Sequence, residues 1–233
     1  MGTVLDNPDL RDRSCVFRDR RDAGSRLGQY LKTLPDLHDP VVCPIPAGGV
    51  PVGIGIARAL AAPIALAVVR KIQIPGNPEA GFGAMSCDGK VFLNEELLRY
   101  LNLTDQETAA AIEKTRRNVQ ERIAVFTGGK PFPDLPGRCA ILTDDGLASG
   151  YTMLAAIASV REHRPARLVV AVPTASAQSA SRIAREVDTV VCLNIRTGSR
   201  FAVAEAYREW HDLDDDEVLS ELENIPDAPD RNR

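Results

Sequence analysis

Three short apolar runs constrain this chain more than any other feature. They read CAILT at 139–143, RLVVAVPT at 167–174 and TVVCLNI at 189–195, and stretches of helix length, 153–163 and 175–187, lie between them. Runs of this length without strict polar alternation are strands buried on both faces. Strands that alternate with helices lie parallel, joined by right-handed crossovers. The second half therefore predicts β-α-β-α-β.

The first half follows the same plan. An amphipathic helix is expected over 17–34, with Leu27, Tyr30, Leu31 and Leu34 on one side. PVVCPIP (40–46) reads as a buried strand, GGVPVGIGIARALAA (48–62) as a glycine-rich loop and helix, and PIALAVVRKI (63–72) as a second strand parallel to the first. Asp88-Gly89 marks a tight hairpin within 81–97. A long helix is expected over 104–126, opened by Thr104 and Glu107 at capping-box spacing and ended by Gly128-Gly129. The expected fold is α/β, a doubly wound and mainly parallel sheet with an inserted β-hairpin.

With 233 residues, the chain can bury one sizeable core. Its net charge of −4 argues against a general nucleic-acid binder. No run reaches the ~18 apolar residues of a membrane span. The charged start lacks a secretory apolar core, and Asp6 stands where a myristoylation signal needs Ser or Thr, so a cytoplasmic location without membrane partners is expected. The five cysteines form no C-x-x-C pair, and His38, His163 and His211 show no ligand spacing. They read as reduced thiols and unassigned histidines. The tail over 212–233 is acidic: its early acids suit a helix start, and its last eight or so residues suit disorder. Glu217 occupies the glycine position of a calcium loop, which excludes that site.

The chemistry concentrates in ILTDDGLASGYT, residues 141–152. In an open α/β sheet, ligands bind beyond the carboxyl ends of the strands. Asp144 and Asp145 fall at such an end. Two carboxylates accept hydrogen bonds from a diol, and a small-residue loop entering a helix offers backbone N–H groups to a phosphate. A phosphorylated sugar fits both. The ordinary alternative, a pair of acids capping a helix, explains the acids but not the loop. Gly53 and Gly55 do not complete a dinucleotide fingerprint, because Arg58 takes its third glycine position. Neither Gly89-Lys90 nor Gly129-Lys130 completes a Walker loop.

That segment resembles the phosphoribosyl pyrophosphate (PRPP) motif of the type I phosphoribosyltransferases. Together with IPAGGVPVGIGIARAL, VVRKIQIPGNPEAGFGAM and VFLNEELL, the chain is similar to a bacterial and archaeal group of that family over roughly residues 15–215. The resemblance implies a single domain over 15–215 with a small hood, and the acidic helix and disordered tail read from composition occupy 216–233. It implies that Asp144 and Asp145 contact the ribose hydroxyls, and that Gly146, Leu147, Ala148, Ser149, Gly150, Tyr151 and Thr152 hold the 5-phosphate. It also implies that Ala47, Gly48 and Gly49 line a pyrophosphate loop, and that Arg70 and Lys71 face pyrophosphate. Asp144, Asp145 and Lys71 become the expected catalytic residues.

The magnesium implied by the family would be held mainly by PRPP, with no dedicated protein ligands. The implied partners are PRPP and a small-molecule acceptor, and the implied assembly is a homodimer. Two departures stand out: the group usually has Arg where Ala47 stands, and Ser149 replaces Thr. A lid is expected in the segment 72–83 or the hairpin after it. In the hood, Phe201, Tyr207 and Trp210 could stack on a base or pack the core. A transferase and a non-catalytic PRPP or nucleotide sensor both remain open.

Overall fold

The computed structural model describes residues 2–129, 131–198 and 200–223. Strands β1 (Thr3–Asp6), β2 (Pro40–Pro44), β6 (Cys139–Thr143), β7 (Arg167–Ser176) and β8 (Thr189–Arg196) form one sheet in the order β1-β8-β7-β6-β2, every pair parallel. Strands β3 (Val69–Ile74), β4 (Asn77–Ser86) and β5 (Val91–Leu93) form a second, antiparallel sheet. The helices are α1 (Arg20–Leu31), α2 (Gly49–Leu60), α3 (Glu95–Leu101), α4 (Asp105–Thr127), α5 (Tyr151–Arg161), α6 (Ala177–Ile183) and α7 (Asp215–Glu223).

The central strands are apolar on both sides because both sides are covered. Val42, Ile141, Val169, Ala171 and Val191 pack with Leu27, Leu31, Val52 and Ile56 of α1 and α2. The alternate residues Val41, Cys43, Leu142, Val170 and Val172 pack with Met153, Ile157, Ala180 and Ile183 of α5 and α6. This period of two sends successive side chains to opposite cores. Gly24 of α1 lies against Val52 of α2, so close that a Cβ at residue 24 would sit 2.4 Å from the Val52 carbonyl oxygen. That contact lets α1 pack tightly against α2.

The long helix α4 matches expectation. Thr104 and Glu107 form the reciprocal capping box, and Gly128 closes the helix at φ +59°. The Asp88-Gly89 turn joins β4 to β5, with Gly89 at φ +79°.

The expected strand at 63–72 is divided. Residues 63–67 run parallel beside β2: Val42 N–H donates to the Pro63 carbonyl at 2.9 Å, and Ala65 N–H returns to the Val42 carbonyl at 2.9 Å. The chain then leaves the main sheet, and Val69–Ile74 pairs antiparallel with β4, placing Arg70 opposite Met85 and Lys71 opposite Ala84. Arg70 and Lys71 therefore stand within the hairpin sheet, not at the end of a parallel strand. The unbroken apolar run hid the departure, since periodicity carries no mark where a strand changes partner.

Elements on either side of the expected span 15–215 also pack against it. β1 pairs with β8 in register, Thr3 opposite Thr189 and Asp6 opposite Cys192. At the other end, Val218 of α7 is fully buried with Val50, Ile54 and Phe126. The expected disordered end falls on residues 224–233, outside the described residues. Among the described residues, no helix is long and apolar enough to cross a membrane.

Candidate active site

The end of β6 delivers Thr143, Asp144 and Asp145 between two loops. The first loop, 45–48, leads from β2 into α2 and contains a cis Pro46–Ala47 peptide bond. Ile45 N–H donates to the Thr143 carbonyl at 2.9 Å, which ties this loop to the end of β6. Gly48 then passes directly under Asp145. A Cβ at residue 48 would lie 2.1 Å from Asp145 Oδ2, so a side chain here would displace the carboxylate.

The second loop follows the acids. Leu147 is buried and bridges to β7: its N–H donates to the Thr174 carbonyl at 2.9 Å, and its carbonyl accepts from Ser176 N–H at 3.3 Å. The Ala148 carbonyl accepts from the Ser179 hydroxyl, and the Ser149 carbonyl accepts from Arg182 Nη1 at 3.1 Å. The carbonyls of the loop are thus taken up by β7 and α6. Gly150, at φ +79°, opens α5 without a side-chain capping bond. The first N–H groups of that helix have no intrahelical acceptor and carry the positive end of its dipole. Together with the exposed Ser149, this arrangement suits an anion.

Each acid has one oxygen engaged by the protein. Asp144 Oδ1 accepts from the Asp145 backbone N–H at 2.9 Å. Asp145 Oδ2 accepts from Arg20 Nε at 3.0 Å. The second oxygen of each acid, Asp144 Oδ2 and Asp145 Oδ1, can accept from adjoining hydroxyls. Burial pushes the Asp144 carboxyl well above the ordinary carboxylate range, and the neighbouring Asp145 charge adds to it. Burial raises Asp145 as well, with Arg20 opposing.

Residues 207–212 close the far side. The Tyr207 hydroxyl donates to the Asp145 carbonyl at 2.6 Å, and burial drives its pKa well above that of an ordinary phenol, with Asp145 adding to the rise. Arg20 Nη1 donates to the His211 carbonyl at 2.8 Å, and the guanidinium lies 3.8 Å above the Trp210 ring centroid. Tyr207 packs between Phe17 and Trp210, with ring centroids at 5.7 and 5.1 Å. Tyr207 is thus a core residue, and Arg20 occupies one face of Trp210. Phe201 lies near Arg196, its ring centroid 6.0 Å from the guanidinium carbon.

Of the residues picked out from sequence, Gly48, Gly49, Asp144, Asp145 and the loop Gly146–Thr152 come together here. Ala47 belongs to the same loop, but its side chain packs against the apolar cluster of Val50, Ile54 and Val218. Arg70 and Lys71 line a different cavity of about 530 Å³, with Gln73, Lys114, Thr115 and Asn118. Burial lowers the Arg70 pKa, and the charge of Arg122 lowers it further against Asp215.

Arg20 was missed by sequence reasoning. Its signal was its position: residues 20, 23, 24, 27, 28 and 31 make up the buried stripe of α1, and an arginine on that stripe needs a buried partner.

Among the described residues, no group of three His, Cys, Asp or Glu side chains gathers into a metal site. The two acids nevertheless present hard carboxylate oxygens, the donor chemistry that suits a magnesium complex of a sugar phosphate.

Comparison with known proteins agrees with this geometry. Two Mycobacterium tuberculosis proteins, provisionally named phosphoribosyl transferases, are 38% identical over 208 residues, covering 89% of this chain. The chain spans about half the length of these curated relatives (46%). The crystal structure of TT1426 from Thermus thermophilus is 35% identical, with a TM-score of 0.75 over 90% of this chain and 98% of that one. The family model of the phosphoribosyl transferase domain matches residues 22–209, from the first turn of α1 through the acids to Tyr207, and the chain belongs to that family.

Proposed function

We propose that this chain binds PRPP at the Asp144–Asp145 site and transfers its ribose 5-phosphate to a small acceptor, releasing pyrophosphate. One observation carries the reading. Two adjacent carboxylates, each anchored to the protein through one oxygen and each with a second oxygen able to accept, stand beside an uncapped helix N-terminus. A ribose diol and a 5-phosphate have the matching chemistry.

In the proposed reaction, the bond from ribose C1 to the pyrophosphate oxygen breaks, and a bond from C1 to the acceptor nucleophile forms. The transition state has oxocarbenium character. The carboxylates orient the ribose through its hydroxyls, and the loop 146–152 fixes the 5-phosphate, so positioning supplies much of the rate. Gly48 and Gly49 let the backbone approach the pyrophosphate. Arg70 and Lys71 line a separate cavity on the hairpin, so they would add positive charge to the leaving group only when the hairpin closes over the site. Bound magnesium, carried on PRPP, would neutralise pyrophosphate charge. The β3–β4 hairpin, turning at Gly76, serves as the lid. A cytoplasmic location, expected from the sequence, and a homodimer, drawn from the family resemblance, complete the proposal.

A second reading, a PRPP or nucleotide sensor without turnover, is favoured by Ala47. With Ala at position 47 the pyrophosphate loop lacks the arginine usual in the group. Pyrophosphate release measured with PRPP, magnesium and a panel of nucleobases separates the two. Sustained release with one acceptor supports the transferase, and binding without release supports the sensor.

A further inference from the structure

We propose that Arg20 is a positioning residue: it fixes the carboxylate of Asp145 so that one oxygen is presented to a sugar diol. The proposal rests on the PRPP reading of the site.

Arg20 is only 7% exposed and is held from three sides. Nε meets Asp145 Oδ2 at 3.0 Å, Nη1 meets the His211 carbonyl at 2.8 Å, and the guanidinium plane covers Trp210. These partners come from different parts of the chain: the end of β6 and the segment after β8. The Asp145 side chain is itself 17% exposed, and Gly48 closes the space beside Oδ2. With Oδ2 engaged by Arg20, the rotation of the carboxylate is set and Oδ1 is the oxygen turned to accept from a ligand.

The fork of the guanidinium matters. It reaches a carboxylate and a carbonyl at once, which a single ammonium cannot reproduce. Burial and the charge of Asp212 on the closing segment work against the Asp145 carboxylate, and the Asp145 charge in turn works against Asp144. Arg20 is the cation in direct contact with this pair, 3.0 Å from Asp145 Oδ2.

The test compares PRPP binding, with magnesium, by calorimetry for wild type, Arg20→Ala and Arg20→Lys, each checked for folding by thermal melting. Arg20→Ala is expected to weaken binding by about tenfold or more, the scale of one charge-assisted hydrogen bond. Adding guanidinium ion at tens of millimolar should restore much of that loss, and methylammonium should not. Arg20→Lys should fold and bind with intermediate affinity. A purely structural arginine would show no such selective rescue.

A folded Arg20→Ala variant that binds like wild type overturns the proposal, as does weakened binding that guanidinium leaves unchanged. If Arg20→Ala fails to fold, Arg20→Lys decides: folded and weakened supports positioning, folded and unchanged overturns it. Wild-type protein that binds no PRPP removes the PRPP reading, and the positioning role with it. Loss confined to the Arg20 variants leaves that reading standing.

Discussion

Arg20 and Asp145 are 125 positions apart in the chain and 3.0 Å apart in space. That pair joins the first helix to the end of the central strand, and the same guanidinium holds the closing segment through the His211 carbonyl. The acids are therefore built into the fold from both ends of the chain. A group held this way has a fixed geometry before any ligand arrives, which is the condition for catalysis by positioning.

Gly48→Ala is expected to abolish PRPP binding and lower stability by about 1–3 kcal/mol, the usual range for overpacking. The added methyl would lie 2.1 Å from Asp145 Oδ2, and the carboxylate would have to leave Arg20 to make room. Calorimetry and thermal melting together read both effects, and a variant that binds normally would mean that the loop yields.

Asp144→Asn is expected to raise Tm at pH 7 while removing PRPP binding. The folded pKa of Asp144 lies above its ordinary value of 3.8, so ionisation is less favourable in the folded chain than in the unfolded one. Stability is fully present below the unfolded pKa and falls as pH rises from there toward the raised folded value. The asparagine removes that loss, and its carbonyl can still accept from Asp145 N–H. The gain in Tm should shrink as pH is lowered toward the ordinary carboxylate pKa. Melting curves across pH check the sign, and a lower Tm for the variant at neutral pH would contradict it.

Ser149→Ala should leave Tm unchanged, since the side chain is exposed and surface substitutions shift stability little. PRPP affinity should fall about tenfold, by the loss of one hydrogen bond to a charged phosphate. Ribose lacking the phosphate provides the control, because its binding should not respond to this substitution.

Val218→Ala is expected to lower stability by about 1–2 kcal/mol from the apolar burial lost. Val218 is fully buried with Val50, Ile54 and Phe126. An exposed appendage would tolerate the change, so unaltered melting would detach α7 from the core.

The order of strands and helices was legible because burial on both faces writes unbroken apolar runs, and CAILT, RLVVAVPT and TVVCLNI carry that pattern. Asp144 and Asp145 were legible because charges at the end of such a run need a reason. β1 was not: Thr3–Asp6 is four residues long, and its place comes from pairing with β8. α3 has no buried residue, so no apolar period marked it. The division of the run at 63–72 depends on β4 competing with β2 for a partner, which is tertiary information. Arg20 sat within the charged stretch RDRRDAG at the start of the expected amphipathic helix, whose apolar side was marked by Leu27, Tyr30, Leu31 and Leu34. Its place on the stripe with Ala23, Leu27 and Leu31 held the signal of its burial.

The most direct measurement is calorimetric titration of PRPP with magnesium into wild type and into Asp144→Asn/Asp145→Asn. Micromolar binding by wild type, abolished in a folded double variant, is the predicted result. Folded wild type that takes up no PRPP, or a double variant that binds equally well, would contradict the assignment of these acids to the ribose.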